Sequence, residues 1–190
     1  MCPTLRMMKK MNQSKDTIAV FIDLQGKLCD KIPSFCEFEH NLKVLAEGLS
    51  ILRIPIILTE QLPDKLGSTI DPLRKILDET DVIKKSTFSC CGESTFNKII
   101  EEYNPSRVIL SGVEAHICVY HTAIDLLKKG IDVNVVSNAS ASILPENRSQ
   151  AFKMMRSRQV TVMPLDTILL GELKNADDPR FKKILELLKR

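Results

Sequence analysis

The sequence predicts an α/β fold: a single-domain, three-layer αβα sandwich built on a mainly parallel, doubly wound sheet. Three observations predict it. Short β-branched and apolar runs recur along the chain, amphipathic helical patterns lie between them, and no linker, repeat or low-complexity stretch divides the 190 residues. Strand and helix in alternation favour parallel crossovers, and a parallel sheet needs helices on both faces. A chain of this length fills one domain and would leave two cramped.

The elements follow in order. Ile18 to Ile22 is an unbroken apolar run and reads as the first buried strand. Leu42, Leu45, Ala46, Leu49 and Leu52 then share one helical face. Ile54 to Leu58 is the second strand, and Asp81-Val82-Ile83 adds a further short one. Phe96, Ile99, Ile100 and Tyr103 mark a helix before the strand Val108 to Leu110. Val119, Ala123, Leu126 and Leu127 mark the next, with Gly130 placed to end it. Val133 to Val136 is a strand, and Ala151, Met154 and Met155 belong to a helix that Pro145 can open. Val160 to Val162 is the last strand. Asp178-Pro179 then offers a cap and a first-turn proline for a final helix burying Phe181, Ile184, Leu185 and Leu188.

Composition narrows the function. Apolar residues make up 44% and charged residues 27%, as in an ordinary globular protein, and no apolar run is long enough to cross a membrane. The formal charge of +3 is spread along the chain and aromatics are few, which argues against nucleic acid as a partner. Six cysteines (2, 29, 36, 90, 91, 118) form no CxxC pair, and there are three histidines (40, 116, 121), so neither a disulfide scaffold nor a structural zinc site is expected. The start, MCPTLRMMKKMNQSK, carries four positive charges and no secretory core. Residues 1–16 are expected to be a flexible N-terminus and 17–190 the domain. A cytoplasmic location is expected, with a mitochondrial presequence the alternative that the basic start raises.

In parallel sheets reactive groups gather beyond the carboxyl ends of the strands. Asp23 closes the first strand, where an acid serves as a catalytic group, a helix cap, or a metal or phosphate ligand. The strand Val108 to Leu110 leads through Ser111-Gly112-Val113-Glu114-Ala115-His116-Ile117 to Cys118, at the start of a helix. There the dipole and unpaired N–H groups favour a thiolate and can hold an oxyanion, although free cysteine is more often a small buried hydrophobe. Lys84 and Lys85 precede Ser86-Thr87-Phe88-Ser89; a lysine pair is usually a solvated face, but a cysteine nucleophile needs a base or cation nearby.

Taken together, FIDLQ, KKSTFS and SGVEAHICV resemble the isochorismatase-like cysteine hydrolases, which use an Asp-Lys-Cys triad. TEQLPDKLGST (59–69), GVEAHICVYHTAIDLLKKGIDV (112–133) and DDPRFKKILELLK (177–189) are similar to the eukaryotic isochorismatase-domain-containing proteins. The resemblance runs from about Thr17 to the C-terminus. It implies Asp23, Lys85 and Cys118 as the triad, with Lys84 ranked behind Lys85. It also implies a cis peptide bond between Val113 and Glu114, and an oxyanion hole from the amides of Glu114 and Cys118. Gln25 and His116 are candidate substrate contacts, Gln25 equally a residue that satisfies backbone near the strand end.

What the resemblance implies in chemistry is a metal-independent hydrolase, without cofactor, cleaving an amide or related C–N bond, or an ester, of a small molecule. A thioester-type intermediate forms on Cys118, and homo-oligomers are expected; the face ending in Leu187 and Leu188 is either one surface for them or equally a face packed on the sheet. The alternative is a catalytically silent scaffold of the same fold. Leu58-Thr59-Glu60-Gln61-Leu62-Pro63 lacks the histidine of the nicotinamidase metal motif, and Asn138 stands where many relatives have Asp. Helix terminus and Lys85 together are expected to lower the Cys118 pKa below the usual ~8.5.

Overall fold

A computed structural model describes residues 16–173 and 175–190. The basic segment, Cys2 included, lies outside the described residues. Of the segment set apart at the start, only Asp16 is described, and its carbonyl already accepts from Arg107 N, 3.0 Å away.

The first strand, β1 (Thr17–Ile22), is buried at every position. Side chains alternate across a strand, so Ile18, Val20 and Ile22 enter one core while Ala19 and Phe21 enter the other. Such a strand can sit only in the middle of a covered sheet. Five more join it: β2 (Ile56–Gln61), β3 (Val82–Lys85), β4 (Arg107–Gly112), β5 (Asp132–Ser140) and β6 (Thr161–Met163). The order is β3-β2-β1-β4-β5-β6, and every pairing is parallel, so the sheet is wholly rather than mainly parallel.

The main helices are α1 (Phe35–Leu52), α2 (Ser94–Tyr103), α3 (Tyr120–Lys128), α4 (Pro145–Ser157), α5 (Leu165–Leu173) and α6 (Phe181–Leu188). Helices α1, α5 and α6 cover the face that holds Phe21, and α2, α3 and α4 cover the face that holds Ile18. Leu42, Leu45, Ala46, Leu49 and Leu52 are all buried in α1, as their spacing requires. After α3 the chain turns at Gly130 (φ +77°), and Ile131 N reaches back to Leu126 O, which satisfies a terminal carbonyl.

Several boundaries and faces differ from expectation. The second strand begins at Ile56, not Ile54, and runs on through Thr59, Glu60 and Gln61, all buried although polar. In α4, Phe152 turns inward with Ala151 and Met155, while Met154 is 48% exposed. Helix α6 starts at Phe181, because Asp178 and Pro179 form a preceding turn in which Asp178 Oδ1 accepts from Arg180 N at 2.8 Å. Its apolar face buries Ile184 and Leu187 in the α1/α5 core, with Leu185 and Leu188 partly covered, so that face is spent inside the chain.

Strand order reverses between β2 and β4 on either side of β1, and a doubly wound sheet opens its crevice at such a switch point. Gly112, at the end of β4, has φ +134°, and a Cβ there would lie 2.1 Å from Ile22 O. The ends of β1 and β4 therefore close tightly, and Asp23 and the 113–118 segment leave the sheet side by side.

Candidate active site

Asp23 has φ +53°, a left-handed conformation that Asp tolerates better than most residues. The turn drops its carboxylate under the sheet edge, where the residue is wholly buried. Thr59, paired across from Ile22, donates its hydroxyl to Asp23 Oδ1 at 2.9 Å. Lys85 is the last residue of β3, and strand alternation turns it inward and its neighbour Lys84 out to solvent. Its Nζ lies 2.7 Å from Asp23 Oδ2 and 3.6 Å from Cys118 Sγ. Asp23, Lys85 and Cys118 thus come together at the ends of β1, β3 and β4, and Lys84 does not reach them.

The ammonium has more acceptors than protons. Gln61 Oε1 (2.6 Å), Thr87 O (3.1 Å) and Phe88 O (3.4 Å) also face it. An ammonium donates three hydrogen bonds, so the sulfur, at the longest distance, competes for the last. Gln61 is itself held through its Nε2, which donates to Ser86 O. The loop carrying those carbonyls is tied down by Glu93, whose Oε1 accepts from Ser86 N, Thr87 N and Thr87 Oγ1. These bonds, Ser86 N foremost, hold the Glu93 carboxyl below the usual range.

Cys118 sits in a π-helical turn, Ala115–Val119, that runs straight into α3. The Val113–Glu114 peptide bond just before it is cis. Contrary to the expected direction, the Cys118 thiol is pushed up to about 12. Burial is the chief cause, since the residue is only 7% exposed, and the Asp23 carboxylate adds to it; Lys85 opposes both and loses. Burial also pulls the Lys85 ammonium down, but Asp23 and Cys118 outweigh it and its pKa is raised. Burial therefore favours the thiol form of Cys118 beside the Asp23–Lys85 pair.

Gln25 is buried, and its amide is committed to backbone: Oε1 accepts from Gln61 N, while Nε2 donates to Gln61 O and Gly67 O. That places it as a support for Gln61, and through Gln61 for Lys85. His116 is engaged with other residues; Nδ1 lies 3.0 Å from Ser142 Oγ and 3.5 Å from Glu114 Oε2. Glu60 Oε1 accepts from Thr69 N and Oγ1, and Asn138 Oδ1 accepts from Leu165 N at the start of α5. Cys90 is buried, its N donates to Thr122 Oγ1, and burial pushes its thiol up to about 12. Among the described residues no group of three or more His, Cys, Asp or Glu gathers at metal-binding distance.

Thr59, Gln61 and Glu93 are site residues that sequence reasoning missed. One signal for the first two was available: polar residues directly continuing an apolar strand at the edge where Asp23 emerges.

A doubly wound α/β protein with a buried Asp–Lys pair facing a thiol at its switch point is thus defined. The chain belongs to the isochorismatase family, since the family model described as "Isochorismatase domain" matches residues 17–167. It is 33% identical over 175 residues to isochorismatase domain-containing protein 2 of Danio rerio, covering 92% of this chain and 88% of that one. Isochorismatase family protein 2A of Dictyostelium discoideum is 31% identical, with 92% of both chains covered. Among solved structures, one described as the MAR1 ribonuclease of Caenorhabditis elegans superposes with a TM-score of 0.87 at 32% identity, covering 94% of this chain and 92% of that one.

Proposed function

We propose that this protein is a cysteine hydrolase that cleaves an amide or related C–N bond, or an ester, of a small molecule, with Asp23, Lys85 and Cys118 as its triad. The single observation that carries the reading is Lys85 Nζ standing between Asp23 Oδ2 (2.7 Å) and Cys118 Sγ (3.6 Å) in a buried site. Such a pair has no solvation to explain it, and buried ion pairs are weak devices for stability.

With the sulfur held as a thiol, attack and proton transfer go together. As Sγ bonds to the carbonyl carbon, its proton passes to Asp23, directly or through Lys85, and the π electrons move to oxygen. The amides of Glu114 and Cys118 hold that oxyanion. Collapse expels the amine, which takes the proton from Asp23 and leaves a thioester. Water then attacks the thioester, Asp23 takes its proton, and the acid leaves as Cys118 regains its hydrogen. Lys85 stays protonated and stabilises each anionic stage. Thr59 fixes the carboxylate, and Gln61 with Gln25 behind it fixes the ammonium.

The reaction is proposed to need no metal, because Glu60 and Gln61, in the stretch where the nicotinamidase motif would fall, spend their side chains on protein hydrogen bonds. Self-association is proposed on the family likeness alone, now that the α6 face is used internally. Sedimentation at micromolar concentration tests it, and a monomer would remove it. Among the described residues no helix is long and apolar enough to cross a membrane.

A second reading takes its support from the nematode structure described as a ribonuclease. One panel separates the readings: small amides, small esters and single-stranded RNA, each with wild type and Cys118→Ala. Amide or ester turnover that Cys118→Ala abolishes supports the hydrolase. RNA cleavage without it supports the second reading, and a silent panel supports a scaffold.

A further inference from the structure

A cleft of about 240 Å³ opens beyond the end of β5, between the first turns of α1 and α4. Asp23, Lys85 and Cys118 do not line it. Its charged floor is unusual. Arg148, on α4, is half-buried; one Nη donates to Ser137 O at 2.6 Å, and the guanidinium carbon lies 5.3 Å from the Phe152 ring centroid. Its Nε is buried and, among the described residues, has no hydrogen-bond partner. Among the described residues no carboxylate lies within ion-pair distance of it. Glu37 also lines the cleft; it is exposed, and among the described residues it makes no ion pair, although its charge acts on the Arg148 guanidinium from a greater distance.

Ser140, also on the wall, is only 1% exposed, and among the described residues its Oγ meets no partner. Burying an unpaired hydroxyl or guanidinium N–H costs free energy, so two such donors at one cleft mark a place for an acceptor. The helices add to the field. Ser34 immediately precedes α1 and Pro145 opens α4; among the described residues neither helix start has a side-chain cap, and both residues line the cleft. Uncapped helix starts present N–H groups and partial positive charge.

We propose that this cleft binds a small carboxylate, with Arg148 as its counter-ion and Ser140 as a hydrogen-bond donor. The planar guanidinium fork suits a carboxylate, and the volume falls below that of drug-sized pockets, which selects a ligand of a few carbons. The wall is joined to the catalytic segment: Ala115 N donates to Ala141 O at 2.8 Å, and Ser142 Oγ meets His116. Occupancy of the cleft does not depend on Cys118 being catalytic.

Isothermal titration of the full-length protein with succinate, with neutral succinamide and inorganic phosphate as comparators, tests the assignment. Saturable succinate binding is expected, with no binding of succinamide. Arg148→Met should weaken succinate binding at least about tenfold, as loss of a charge-assisted pair does. Ser140→Ala should weaken it by a smaller factor. It also guards against misfolding, because removing an unpartnered hydroxyl should leave thermal stability unchanged. Cys118→Ser should bind as wild type does. Absence of binding by succinate, acetate and benzoate alike would overturn the proposal. So would phosphate binding in their place, or succinate binding that survives both Arg148→Met and Ser140→Ala.

Discussion

Replacing Lys85 with Met leaves the Asp23 carboxylate buried with one hydroxyl donor, Thr59, in place of a hydroxyl and an ammonium at 2.7 Å. Both side chains of the pair are wholly shielded from solvent. Breaking a buried pair from one side costs about 3–5 kcal/mol, because the remaining charge is left uncompensated. Gln61 Oε1 and the carbonyls of Thr87 and Phe88 lose their donor as well, so the upper half of that range is expected. For a chain of this size the loss corresponds to a melting temperature lower by about 8–20 °C. Urea denaturation of Lys85→Met, Asp23→Asn and the double variant forms a cycle in which the double variant should be clearly more stable than the summed single losses predict. Additive losses within about 0.5 kcal/mol, or a Lys85→Met variant as stable as wild type, would refute the buried pair.

Alkaline pH should destabilise the fold. The Cys29, Cys90 and Cys118 thiols are each pushed up to about 12, chiefly by burial. Their folded values exceed the unfolded ~8.5. Their contribution is therefore complete below that pH and lost as pH rises toward about 12, at up to about 1.4 kcal/mol per pH unit for each thiol. Urea midpoints measured from pH 8 upward should fall, and Cys29→Ala should make the fall shallower; flat midpoints would contradict the burial argument. Gly112→Ala should cost several kcal/mol or prevent folding, because its Cβ would meet Ile22 O at 2.1 Å and φ +134° disfavours any side chain; soluble protein with wild-type melting would refute this. Iodoacetamide at neutral pH should modify exposed Cys36 before Cys118, which is 7% exposed and held as a thiol. Peptide mapping showing Cys118 labelled first would reverse that order.

Much of the fold was legible because β1 and the α1 face obey simple periodicities. The apolar run Ile18–Ile22 can be satisfied only by burial on both sides. What the sequence hid depends on tertiary neighbours. Thr59 and Gln61 look like the end of a strand on any hydropathy scale, yet β2 continues through them because their polar groups serve Asp23 and Lys85. Helix α5 is not legible in the pattern, since Leu165, Ile168, Leu169 and Leu173 lie among further apolar residues with little polar contrast. At the site, Asp23 at the end of β1 and Cys118 in the turn that opens α3 are legible from their positions. Lys85, by contrast, was separable from Lys84 only through resemblance, and strand alternation in β3 supplies the physical reason. The sign of the Cys118 shift is not legible, because helix position and Lys85 are visible in sequence, whereas the burial that outweighs them is not.

In the proposed reaction Cys118 carries the acyl group during turnover. Rapid-quench intact-mass analysis with para-nitrophenyl acetate, followed by peptide mapping, tests it most directly. One acetyl group is expected on Cys118, absent in Cys118→Ser and formed more slowly in Asp23→Asn, which lacks the proton acceptor. Acetylation confined to Cys36 and surface lysines, with Cys118→Ser hydrolysing the ester at the wild-type rate, would contradict it.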